Sequence, residues 1–158
     1  MGRVFFNTRE NISSITADYQ CIDSDSGKLF TLNSTAATAV TLPADADVTV
    51  GWTATFVVET ANNNAYTIKT ADITDSTGDD FVGGLAYLTT TAGFGHSIVA
   101  AGNDNTITLD ADDASNAGGL VGSWVKVTKL ANNDWMISGQ LFVSDADGTG
   151  AASITNAD

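Results

Sequence analysis

The residues best suited to chemistry in this chain are its aspartates, and they fall in short clusters inside turn-like stretches. Asp23-x-Asp25, Asp110-x-Asp112-Asp113 and Asp145-x-Asp147-Gly148 each gather hard oxygen ligands of the kind calcium takes. None completes the loop of an EF-hand, and Asx side chains in turns bond their own backbone without a metal. The expectation is therefore no cofactor and no bound metal. Asp79-Asp80 has the composition of a glycosidase dyad, but adjacent loop residues do not aim at one bond. The single histidine, His96, lies between Gly95 and an apolar run, where a sheet position explains it better than a catalytic triad. No nucleophile elbow, zinc-protease motif or phosphate loop is present, so no enzymatic activity is expected. Trp52, Trp124 and Trp135 could stack on sugars. By strand phase Trp52 shares a face with Phe56 and Val58, and Trp135 with Ile137 and Leu141, which places both in the core; the phase of Trp124 decides less.

Composition narrows the class further. Only 16% of the 158 residues are charged, and the net charge is −13. Nucleic acid is excluded as a partner, because phosphate neutralisation needs clustered cations and there are six: Arg3, Arg9, Lys28, Lys69, Lys126 and Lys129. Cys21 is the one cysteine, so no intrachain disulfide can form; in a strand it reads as a small buried apolar group. No secretory leader and no apolar run long enough to span a bilayer is present, and a soluble, unexported chain without a membrane partner is expected.

The elements that must position these residues are strands. Within 51–59, Trp52, Ala54, Phe56 and Val58 alternate with Thr53, Thr55, Val57 and Glu59, the two-residue period of a pleated strand. Further strands are predicted over 18–22, 28–32, 39–42, 66–69, 96–100, 106–110, 120–130 and 135–143, with 85–91 ambiguous. The strand at 66–69 reads as the hairpin partner of 52–59, and Asn132-Asn133-Asp134 as the turn of a closing hairpin. Residues 70–84 read as a polar, acidic connection. Helical periodicity is absent, and so are exact internal repeats, which argues against a solenoid or propeller. The predicted fold is all-β: an antiparallel β-sandwich, jelly-roll-like (β-tulip type), over residues 17–143. An extended N-terminal arm over 1–16 precedes it, and a flexible C-terminal tail over 144–158 follows.

Three stretches carry a resemblance. Asp-Ser-Gly-Lys-Leu-Phe-Thr-Leu at 25–32, Thr-Ala-Val-Thr-Leu-Pro at 38–43 and Gly-Trp-Thr-Ala-Thr-Phe-Val-Val at 51–58 follow one another. Together with the ribbon at 122–139 they resemble β-modules of tailed-bacteriophage virion surface proteins: capsid decoration (cement) proteins, head fibres and tail-fibre domains. The module fills nearly the whole chain, as in a stand-alone decoration protein. The resemblance implies a homotrimer on the outer surface of the virion capsid, made in the host cytoplasm, which binds the major capsid protein and stabilises its lattice without chemistry. The expected contact with capsid or neighbouring subunit is the arm, through Arg3, Val4, Phe5, Phe6 and Arg9. Burying its three apolar side chains contributes ~1.5–3 kcal/mol each before ordering costs. The alternative is a receptor-binding or fibre-tip module that recognises host surface glycan, with Trp124 or the loop 89–94 as the contact.

Overall fold

A computed structural model describes residues 11–74, 78–89, 95–111, 118–143 and 154–156. Alternation of buried and open positions builds twelve strands: β1 (Ile12–Ile15), β2 (Tyr19–Gln20), β3 (Lys28–Leu32), β4 (Thr38–Thr41), β5 (Thr53–Val58), β6 (Tyr66–Lys69), β7 (Asp80–Thr89), β8 (Gly95–Val99), β9 (Thr106–Leu109), β10 (Trp124–Ala131), β11 (Asp134–Val143) and β12 (Ile154–Thr155). Two short 3-10 turns, Asp23–Asp25 and Asp45–Asp47, sit in the connections. The strands form two layers. Sheet A has the order β1-β3-β5-β10-β11-β7-β8, and sheet B the order β12-β9-β6-β4-β2. Their inner faces share one apolar core that contains Phe30, Phe56, Val125 and Trp135 from sheet A and Val40, Tyr66, Ile68 and Leu109 from sheet B.

The all-β, two-layer architecture is the predicted one. In place of the antiparallel, jelly-roll-like wiring anticipated, both sheets are mixed. β1/β3, β3/β5, β2/β4, β4/β6 and β7/β11 pair in parallel. The cause lies in the first six strands, which alternate between the sheets. Odd strands land in sheet A and even strands in sheet B, so the chain winds as a coil and each turn lies parallel on the one before. β5 and β6 are accordingly not a hairpin but opposite walls of one turn. The connection between them is held across the core rather than folded back. Glu59 and Thr60 N–H groups donate to Leu32 O, and Asn62 Nδ2 donates to Ala36 O. The Tyr66 hydroxyl accepts from Ser34 N–H at 2.8 Å and lies 2.7 Å from Ser34 O and 2.9 Å from Thr60 O.

The closing hairpin β10–β11 forms as expected, with Asn133 at φ 64° in its turn. β7 was not anticipated over its first half, because Gly83-Gly84 interrupts the β-forming residues. Those glycines serve close strand approach: a Cβ at Gly83 would lie 2.5 Å from Ile137 O, and one at Gly84 2.5 Å from Ile98 O. Within the segment read as an arm, Ile12–Ile15 form edge strand β1. Within the segment read as a tail, Ile154 is buried against Ile107 and Thr155 O accepts from Asn105 N–H.

Candidate functional site

Two places stand out in this framework, one at an end of the sandwich and one on a face. The end site is built around Lys129. Its odd-numbered phase on β10 continues Val125 and Val127 into the core, so its side chain is drawn inward and is 2% exposed. The backbone there is fixed on both sides: Lys129 N–H donates to Trp52 O, and Gly51 N–H donates to Lys129 O. The ammonium contacts Asp45 Oδ1 and lies 5.0 Å from the centre of the Trp135 ring. Burial pushes its pKa down, with the Asp134 charge opposing. Asp45 Oδ1 also accepts the Asn133 N–H at 2.9 Å, which ties the β4–β5 connection to the hairpin turn. Trp52 packs edge-on against Trp135 at 5.6 Å and 83°, closing the apolar side of the cluster.

Asp79 completes this end. It is 2% exposed and faces, with Asp45, Asp72 and Asn133, a cavity of about 280 Å³. Neither its Oδ2 nor the Trp135 indole N–H completes a hydrogen bond, though the indole lies close enough to favour the ionised form. Burial dominates and raises the carboxyl above the usual carboxylate range. No group of three metal-ligating side chains converges among the described residues.

The second place is the outer face of sheet A. Strand register lines up Ile12, Leu29, Thr55, Lys126, Ser138, Gly84 and Val99 in one row. The next row runs Ser14, Thr31, Val57, Trp124, Gln140, Ala86 and Ser97. Between the strand ends Lys126 is the one charged residue of this face among the described residues, in a chain of net charge −13. Six exposed large apolar side chains also lie on it: Ile12, Leu88, Val99, Leu130, Met136 and Phe142. The outer face of sheet B is different in kind, carrying Thr41, Thr67, Thr108, Lys69 and Gln20.

The residues singled out from sequence divide as follows. Arg3, Val4, Phe5, Phe6 and Arg9 lie outside the described residues, as do Asp112, Asp113, Asp145 and Asp147. Asp25 is satisfied by protein: it accepts from Lys28 Nζ at 2.7 Å, and from Ile22 N–H and the Tyr19 hydroxyl at 3.0 Å each. Burial would raise its carboxyl, yet these three donors hold it below the ordinary value. Cys21 is buried as expected, and burial with the Asp25 charge pushes its thiol up to about 12. Trp52 and Trp135 are core residues, whereas Trp124 is half-buried on the outer face of sheet A. His96 pairs with Tyr87 in the β7–β8 register. Asp79 and Asp80 separate: Asp79, just before β7, is buried, and Asp80, the first residue of β7, is half-buried at the rim. Lys129 escaped sequence reading as a functional residue; its signal was a lysine in the phase of Val125 and Val127. Comparison with known proteins finds no match to a family model, to a curated protein or to a solved structure.

Proposed function

We propose that this protein is a structural virion component, a capsid decoration (cement) protein of a tailed phage. It would sit as a homotrimer on the outer surface of the shell and stabilise the major capsid protein lattice. The resemblance of 25–32, 38–43, 51–58 and 122–139 to such modules supports the class. The observation that carries the binding mode is the charge-poor, apolar-dotted outer face of sheet A in an otherwise acidic chain. Aliphatic groups leave water favourably and hydroxyls at small cost once they find a hydrogen-bond partner, whereas unpaired carboxylates cannot be buried cheaply. Among the described residues the acids sit in loops and at strand ends, and apart from the buried Asp25 and Asp79 they keep access to water. The arm enters the fold through β1, the edge strand of the same sheet, so Arg3, Val4, Phe5, Phe6 and Arg9 would extend that face.

Co-sedimentation with capsids that lack the protein tests this reading. Wild type should bind saturably, and deletion of residues 1–10 should weaken binding without unfolding the sandwich. The double variant Met136→Glu, Val99→Glu should bind at least about ten-fold more weakly, a loss of ~1.4 kcal/mol or more, while its melting stays within a few degrees of wild type. Equal binding by the double variant removes the face from the interface. The half-buried Trp124 beside Gln140 and Val57 keeps the glycan-binding fibre tip as the second reading. Glycan-array hits lost in Trp124→Ala, with no capsid sedimentation, would decide for it.

A further inference from the structure

The Lys129 cluster contains more than an ion pair needs. We infer that Lys129 and Asp45 become joined by an intramolecular amide bond between Nζ and Cγ, formed by the folded chain itself, with Asp79 relaying the proton. Four observations carry this. The amine and the carboxyl are in direct contact and are held there by backbone hydrogen bonds on both sides of Lys129. Such fixed proximity turns a slow bimolecular condensation into an intramolecular one. The amine is withdrawn from water at a 2% exposed position, and that burial favours the neutral, nucleophilic form. The Asn133 N–H already points at Asp45 Oδ1 and would stabilise the oxyanion as the carbonyl carbon becomes tetrahedral. Finally, Asp79 is a buried carboxyl with an unpaired oxygen on the same cavity as Asp45, and it retains its proton to higher pH than an ordinary aspartate.

The step balances without any co-reactant. Proton transfer from the Lys129 ammonium to the Asp45 carboxylate gives a neutral amine and a neutral acid. The amine lone pair attacks Asp45 Cγ. Asp79, protonated at the start, delivers its proton to the departing hydroxyl and takes up the proton released from nitrogen, ending as it began. The C–O bond breaks, one water leaves, and one amide remains. The reaction removes two charges from a poorly hydrated place, where an ion pair carries a desolvation cost. The bond would clamp the β4–β5 connection to the closing hairpin in a chain whose single cysteine allows no intrachain disulfide.

Mass spectrometry of the purified full-length chain tests the inference. The denatured protein should weigh one water less than its sequence. Trypsin should release the 29–69 peptide joined to a peptide that begins at Val127 and continues uncut past the acylated Lys129. A lowered mass without that branched peptide would instead indicate a cyclic imide at Asp45 and overturn the inference, as would an unlowered mass. Lys129→Arg keeps a cation for Asp45 and should show the full mass. Asp79→Asn should fold, with the circular dichroism of wild type, yet remain unlinked, and Asp79→Glu should restore linkage. Linkage undiminished in Asp79→Asn would remove Asp79 from the reaction.

Discussion

Replacing Tyr66 by phenylalanine removes one oxygen from the centre of the coil formed by the first six strands. The ring stays buried, so the apolar contribution is unchanged, and the perturbation is confined to hydrogen bonding. The hydroxyl accepts from Ser34 N–H at 2.8 Å and donates its one proton among the carbonyls of Ser34, Thr60 and Leu32, at 2.7, 2.9 and 3.1 Å. Leu32 O keeps the Glu59 and Thr60 N–H donors, so it remains satisfied. Ser34 N–H loses its acceptor inside the protein, which costs about 1–3 kcal/mol, and the donated bond adds about 0.5–1.5 kcal/mol. The sum, about 1.5–4.5 kcal/mol, is a large share of the ~5–15 kcal/mol that holds a typical domain together. In urea unfolding followed by tryptophan fluorescence, the midpoint should fall by about 1–2 M with an unchanged slope. Tyr19→Phe serves as the control, since its hydroxyl meets only Asp25 at a half-buried position and the change should be smaller. A Tyr66→Phe midpoint indistinguishable from wild type would mean that the Ser34 N–H finds another acceptor, and the hydroxyl would not be what holds the turn across the core.

Asp25 has a folded pKa below its unfolded value of about 3.9, so its stabilisation is present above that pH and is lost as the pH falls through the folded value. Asp25→Asn should therefore be less stable than wild type at pH 7 and show a flatter acid limb below about pH 4 in thermal melts. Gly139→Ala would place a Cβ 2.2 Å from Trp124 O, between β10 and β11, and should cost at least ~1–3 kcal/mol in the same urea assay. Thr67→Val, on the outer face of sheet B, should change stability by less than about 0.5 kcal/mol and leave capsid sedimentation intact, in contrast to the sheet A double variant.

Much of the fold was legible because burial on one side of a strand writes a period of two into the sequence. Trp52 to Val58 and Trp135 to Val143 show it plainly, and the core residues named from that phase are buried. What the period does not encode is which strand lies beside which. Asn62-Asn63-Asn64 reads as a hairpin turn, and its side chains do make a turn, with Asn64 N–H donating to Asn62 Oδ1. The turn leads to the opposite sheet, where Tyr66 is anchored by Leu32 and Ser34, contacts between distant positions that no local pattern contains. β7 was half hidden for a different reason: Gly83-Gly84 lowers strand propensity locally but permits close packing against Ile98 and Ile137. The end cluster was the least legible. Asp45, Asp79 and Lys129 are far apart in sequence, and only the fold sets Lys129 against Asp45 and puts Asp45 and Asp79 on one cavity.

The alternation of the first six strands between two layers also sets an order of events during synthesis. Each parallel ladder among them joins segments one turn of the coil apart, so β1 to β6 can assemble as soon as Lys69 has left the ribosome. Until β10 arrives, some 55 residues later by its position in the chain, β5 presents an open rim of Thr, Phe and Val to the solvent. A nascent half-coil is thus a template for a wrong strand, from a neighbour or from itself. Slowing translation between Lys69 and Trp124 should increase aggregation, and supplying the 122–143 hairpin in trans should suppress it.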